Sequence, residues 1–234
     1  MSDTEIVANS EATHMLILEL DYIAVSLRQV EFEAIKRGIE PKGIELTQAA
    51  FCRSAMASDH RTAVTDILKA AGNKADAIEK AVGEVDRSVK DFCERTAELN
   101  KGVGAMIKAA QRRGVHVAVY SALDDDIALA LMDKLGLSEL GVELIIPEES
   151  SAYFPKADDW LKLLKQSGHE KKTLVAVVSS QVACKGALTA GAACIVVPDT
   201  YTAFQDFTGA MFVLDELSNE KPDHILDLTL RVHA

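Results

Sequence analysis

The chain has 234 residues, 48% hydrophobic and 26% charged, a balance that supports a large buried core and excludes a disordered chain. Its formal net charge of −11 repels phosphate backbones and anionic lipid surfaces, so no nucleic-acid or membrane partner is expected. The four cysteines, Cys52, Cys93, Cys184 and Cys194, form no CxxC pair and have no histidine at zinc-finger spacing, which argues against a disulfide framework or a structural zinc site.

In chain order, MSDTEIVANSEATH is polar and acidic, unlike a signal peptide. Residues 1–13 are expected to form a loose tail and the protein to be cytoplasmic, since no apolar run approaches the roughly 20 residues that span a bilayer. The first strand pattern runs from Met15 to Leu20. After it, residues from Val25 to Gly114 carry no convincing strand, and apolar positions recur at helical spacing in Val30/Ala34/Ile35, Ala63/Ile67/Leu68 and Ile78/Val82/Val85/Val89/Phe92, with Gly38, Gly43, Gly72 and Gly83 as candidate breaks. From Lys101 onward β and α patterns alternate. Strands are expected at Val115 to Tyr120, Val142 to Ile146, Thr173 to Val178, Ala193 to Val197 and Met211 to Leu214; helices are expected at Lys101 to Arg113, Asp125 to Leu135, Asp158 to Gln166 and Ala183 to Ala190.

This rhythm predicts an α/β fold, a Rossmann-like parallel sheet covered by helices with an inserted helical cap domain. Residues 14–24 and 99–234 would form the core and residues 25–98 the cap. In such a sheet, residues just past the carboxyl ends of the strands converge on one crevice, where ligands bind. The first strand brings Glu19, Asp21 and Tyr22 there; the second brings Ser121, followed by Asp124, Asp125 and Asp126. The third leads through Pro147 and Glu148 to Pro155 and Lys156, and the fourth brings Ser179, Ser180 and Gln181.

The order of these parts resembles the haloacid dehalogenase superfamily, closest to its β-phosphoglucomutase and phosphoglycolate phosphatase group, from His14 to about Leu217. ILELDYIAVS stands where that family has a strand ending DxDGT. GVHVAVYSALDDDIALALMDKLGL is similar to the second family motif, FPKADDWLKLLKQSG to the third, and KKTLVAVVSSQVACKGALTAGAACIVV to the fourth, apart from its acidic residues. The resemblance implies a catalytic pair, with Glu19 at the nucleophile position and Asp21 at the general acid/base position. It also implies that Ser121 and Lys156 bind phosphate, and that Ser179 and Ser180 stand in a degenerate metal motif.

The departures bear on chemistry. Glutamate is one methylene longer than the expected aspartate, and a misplacement of about 1 Å can cost on the order of a hundredfold in rate. Tyr22 and Ile23 replace Gly and Thr, and a serine hydroxyl adds no charge to a hard cation. No metal site is therefore expected, and Mg²⁺ is a cofactor only if the site has been rebuilt. Plainer readings stand beside these. Glu19 also reads as a polar residue at a sheet edge, and Ser121 and Ser180 as helix caps. Asp124 to Asp126 and Asp158 with Asp159 read as first-turn acids; His60, His116 and His169 read as surface or strand-end residues; Lys185 reads as a solvated lysine. Arg53, His60 and Arg61 are the polar candidates for substrate choice in the cap.

Three functions remain open on the sequence: a catalytically silent relative that binds a small phosphorylated or anionic ligand, a divergent phosphate-monoester hydrolase with a rebuilt site, or an interaction protein using its cap. A homodimer is also open.

Overall fold

A computed structural model describes residues 14–55, 59–147, 155–166 and 173–230. Six strands form one parallel sheet: β1 (His14–Glu19), β2 (His116–Tyr120), β3 (Glu143–Ile145), β4 (Thr173–Val178), β5 (Ala193–Val196) and β6 (Phe212–Val213). Their spatial order is β3-β2-β1-β4-β5-β6, with every pairing parallel. β1 thus lies at the centre, where the winding reverses, and its last residue Glu19 pairs with Tyr120 at the end of β2. Strand edges differ from the sequence reading by a residue or two, as at β3 and β6, because the last pairings of short edge strands give way to turns.

The helices are α1 (Leu27–Ile39), the short α2 (Gln48–Ala50) continued by a π-helical turn over Phe51–Ala55, α3 (His60–Ala70), α4 (Ala75–Asp91), α5 (Val103–Arg112), α6 (Asp125–Lys134), α7 (Ala157–Gln166), α8 (Gln181–Thr189) and α9 (Pro222–Thr229). The alternation of side chains along β1 feeds two apolar layers. Met15 and Ile17 pack with Trp160, Leu163 and Cys184 on the face covered by α7 and α8. Leu16 and Leu18 belong to the larger cluster on the other face. That cluster runs on without a break into the helical insertion, through Ile35 of α1, Leu68 of α3 and Val85 of α4.

The insertion holds together as a helical hairpin against α1. Gly38 lies within α1, where an added Cβ would stand 3.6 Å from Val85 and 3.8 Å from the Ala81 Cβ, so its small size permits the close crossing with α4. Thr47 accepts from the Ala50 amide at 3.2 Å and Asp59 from the Thr62 amide at 2.9 Å, fixing the starts of α2 and α3. A second close approach lies in the core at Gly186 of α8, where an added Cβ would meet the Pro155 carbonyl oxygen at 2.6 Å. No helix among the described residues is long and apolar enough to cross a membrane.

Candidate functional site

The ends of β1, β2 and β4 lie side by side, and each contributes a polar group that the apolar strand behind it holds out of water. Glu19 and Asp21 are 3% and 4% exposed, and Ser121 and Ser179 are fully buried. Buried polar groups at this depth must find partners within the protein, and they do so in two separate clusters.

The first cluster centres on Glu19. Its Oε1 accepts from the Tyr120 hydroxyl at 2.8 Å. Its Oε2 accepts from the Ser179 amide at 3.0 Å and from the Ser179 hydroxyl. Nη2 of Arg28 donates to the same hydroxyl at 3.0 Å, and Nη1 of Arg28 is paired with Asp199 in the loop after β5. The guanidinium also lies over the Tyr22 ring, 3.9 Å from its centroid. Burial pushes the Glu19 carboxyl above the usual carboxylate range, opposed by Arg28 and by the bonds from Ser179 and Tyr120. Burial likewise works against the charge on Arg28, yet Asp199, Tyr22 and Glu19 outweigh it and hold the guanidinium protonated.

The second cluster centres on Asp21, in the π-helical turn Leu20–Ala24 that follows β1. Its Oδ1 accepts from the Ser121 hydroxyl at 2.6 Å and its Oδ2 from the Ala122 amide at 2.9 Å. Burial raises this carboxyl to about 7, against the lowering effect of those two bonds; Glu31 and Glu19 raise it further. Asp21 faces a cavity of about 320 Å³ between the helical insertion and the core. Glu31, Asp59, Asp86 and Asp124 also line it, and His60 and Arg61 are its cations. Nε2 of His60 lies 2.8 Å from Asp86 and Nδ1 3.8 Å from Glu31, and those carboxylates raise the imidazole against the effect of burial. Arg61 bridges Asp86 at 2.9 Å and Asp124 at 2.7 Å.

The structure therefore brings Glu19, Asp21, Ser121 and Ser179 to one sheet edge. Lys156 is exposed at the start of α7 and lines a depression with Gln181 and Lys185. Glu148 is outside the described residues, as is His169. The Ser180 hydroxyl caps α8, accepting from the Ala183 amide at 3.3 Å. Asp124 is the residue before α6, but its side chain is spent on Arg61 rather than on a cap. Lys185 is exposed and paired with Asp206. His60 is no ordinary surface residue, since its side chain is 13% exposed and wedged between two carboxylates. Arg28, Tyr120 and Asp199 belong to the site and carry no motif. The only sequence signals for them are that Tyr120 ends the second strand and that Arg28 sits in the first turn of a helix, where a cation opposes the helix dipole and so needs a counter-charge.

The resemblance to phosphate-processing enzymes raises the question of a divalent metal. The residues present do not fit one. Among the described residues no group of three or more His, Cys, Asp or Glu side chains is placed to hold a metal ion. At the β4 end a serine replaces the carboxylate that a hard cation prefers, and a guanidinium is bonded to that serine.

Comparison with known proteins places the fold. No family model and no curated protein sequence matches the chain. Solved structures do. CbbY from Rhodobacter sphaeroides in complex with phosphate is 18% identical, with a TM-score of 0.70 over 88% of this chain and 95% of that one. A HAD hydrolase, family IA, variant 3, from Entamoeba histolytica is 12% identical, with a TM-score of 0.72 over 93% and 99%. A predicted phosphoglycolate phosphatase from Haemophilus somnus is 15% identical, with a TM-score of 0.69 over 92% and 97%. These likenesses establish the fold of the haloacid dehalogenase-like phosphatases and phosphomutases, a six-stranded parallel α/β sheet with surrounding helices.

Proposed function

We infer that this chain, which has the haloacid dehalogenase-like fold, does not carry out Mg²⁺-dependent phosphoryl transfer. One observation carries the reading: both oxygens of Glu19 are engaged by the protein itself, Oε1 by Tyr120 and Oε2 by Ser179. A carboxylate that attacks phosphorus needs a free oxygen aimed at the phosphoryl group. Breaking these bonds in a buried site would leave three donors unsatisfied, the Tyr120 hydroxyl and the Ser179 amide and hydroxyl, at about 1–3 kcal/mol each.

The groups expected to hold phosphate support the same conclusion. Ser121 and the Ala122 amide donate to Asp21, so a carboxyl group of the chain already occupies the donors that an anion would use. The cavity beside Asp21 is lined by more carboxylates than cations, and both of its cations are paired. A small phosphorylated ligand would meet like charge there.

The test is turnover of a phosphate-monoester panel with and without Mg²⁺, for the wild-type chain and Asp21→Asn. The expected result is no release of phosphate above the uncatalysed background in either. Mg²⁺-dependent turnover that Asp21→Asn abolishes would overturn the reading.

A second reading, a hydrolase with a rebuilt site, draws on one observation. Asp21 is the carboxyl raised to about 7 beside an open cavity, which suits a general acid or base near neutral pH. Under that reading a metal-independent hydrolytic activity would rise or fall through about pH 7, and the same panel without Mg²⁺ detects it.

A further inference from the structure

A crevice at the end of a central strand, walled by two carboxylates, ought to attract a cation. Glu19 comes from β1 and is 3% exposed, whereas Asp199 comes from the loop after β5 with its side chain 33% exposed, so it is the Glu19 carboxylate that bulk water cannot reach to stabilise. The charge that meets them belongs to the chain. Arg28 is 4% exposed, and its guanidinium touches Asp199, the Ser179 hydroxyl and the Tyr22 ring, and is linked to the Glu19 carboxylate through Ser179.

Its position is unfavourable by local rules. Arg28 lies in the first turn of α1, at the positive end of the helix dipole, and burying a guanidinium carries a large desolvation cost. Both are offset by the two carboxylates and the ring, which implies that the crevice, rather than the helix, dictates an arginine here. A planar fork is also the shape that reaches Asp199 and Ser179 with separate nitrogens while its central carbon stands over the Tyr22 ring, which a lysine cannot do.

We propose that the crevice between the ends of β1, β4 and β5 is a cation site filled from within the chain, with the Arg28 guanidinium as a tethered counter-ion that neutralises Glu19 and Asp199 and closes the crevice to a free metal ion. The ligand class of the site is a planar organic monocation, and the protein supplies its own. The inference shares with the proposed function the view that the crevice is metal-free. It is measured by stability rather than turnover, so each stands or falls separately.

Two experiments test it. In the first, Arg28→Met, Glu19→Gln and the double variant are compared by thermal unfolding. The introduced glutamine can keep its carbonyl on Ser179 and turn its amide to the Tyr120 oxygen, so the exchange removes charge and little else. Arg28→Met should lower the midpoint by roughly 10 °C, because it leaves the buried Glu19 carboxylate and the partly buried Asp199 without a counter-charge. Glu19→Gln should lower the wild-type midpoint but raise that of Arg28→Met, and this reversal of sign is the signature of charge compensation. If Glu19→Gln lowers both midpoints alike, the proposal is wrong.

In the second experiment, Arg28→Ala is unfolded with increasing methylguanidinium, using sodium at equal ionic strength as the control. A saturable rise in midpoint that wild type lacks is the expected result. Equal responses of the two proteins, or an equal effect of sodium, would reject a cation site. Should Arg28→Ala fail to fold without the additive, its recovery or non-recovery on refolding into methylguanidinium decides the same point.

Discussion

The Ser121 hydroxyl donates to Asp21 at 2.6 Å across the gap between the β2 and β1 ends, and the Ala122 amide joins it at 2.9 Å. These bonds hold a carboxyl that burial has raised to about 7, and its ionisation must therefore be linked to folding.

For Asp21 the folded value lies above the unfolded one of about 3.9. Between roughly pH 4 and pH 7 the folded chain holds a proton that the unfolded chain has lost, so its contribution to stability is full below that window and falls as pH rises through it. A shift of this size corresponds to at most about 4 kcal/mol. Asp21→Asn cannot titrate. The difference in urea midpoint between wild type and Asp21→Asn, followed from about pH 5 to about pH 8, should move steadily in favour of the variant. A difference independent of pH would show that Asp21 keeps an ordinary carboxyl.

Tyr120 donates to Glu19 at 2.8 Å while its ring packs edge-on against Trp160, with centroids 5.2 Å apart. Tyr120→Phe keeps the ring contact and removes one hydrogen bond to a buried acceptor. The expected loss is about 1.5–3 kcal/mol, the range for hydrogen bonds to charged groups, read by chemical denaturation. In a Glu19→Gln background the same exchange should cost less, because the bond it removes is then one between neutral groups, the glutamine amide donating to the Tyr120 oxygen.

Two glycines should respond in opposite directions to alanine. At Gly186 an added Cβ meets the Pro155 carbonyl oxygen at 2.6 Å and Lys156 backbone atoms at 3.0 and 3.1 Å, so α8 or the chain entering α7 must shift. Gly83 is in the interior of α4 with nothing within 4 Å of an added Cβ. Gly186→Ala should lower the thermal midpoint clearly, by about 1–3 kcal/mol for overpacking; Gly83→Ala should raise it by up to about 1 kcal/mol through helix propensity.

The parts of this fold that local chemistry dictates are readable from the sequence. The buried strands announce themselves as short β-branched runs, and strand ends in a parallel sheet converge whatever the loops do, so Glu19, Ser121 and Ser179 can be placed together. Asp21 and Ser121 meet because the ends of β1 and β2 are in register. Arg28 is not legible in this way because its partner Asp199 lies 171 positions away, and a helix arginine looks solvated until the loop that buries it is in place. Chain order brings Lys156 to the start of α7, where its backbone packs against Gly186 and the residue lines a depression with Gln181 and Lys185.

What holds the helical insertion against the core can be decided by magnitude. On one side Phe32 of α1, Phe51 and Tyr201 form a three-ring cluster with centroid separations of 5.1 to 5.3 Å, and Phe51 is 1% exposed. On the other, Arg61 bridges to Asp124 at 2.7 Å, with the two side chains 49% and 58% exposed. Truncating a buried phenylalanine costs about 3–5 kcal/mol, whereas an exposed ion pair contributes about 0–1 kcal/mol and is screened by salt. Phe51→Ala should therefore destabilise the whole chain in one cooperative urea transition, since the insertion and the sheet share a continuous apolar cluster. Arg61→Ala should leave the midpoint nearly unchanged at any salt concentration. If instead Arg61→Ala produced an early, separate transition, the ion pair would be the main fastening and the aromatic cluster a minor one.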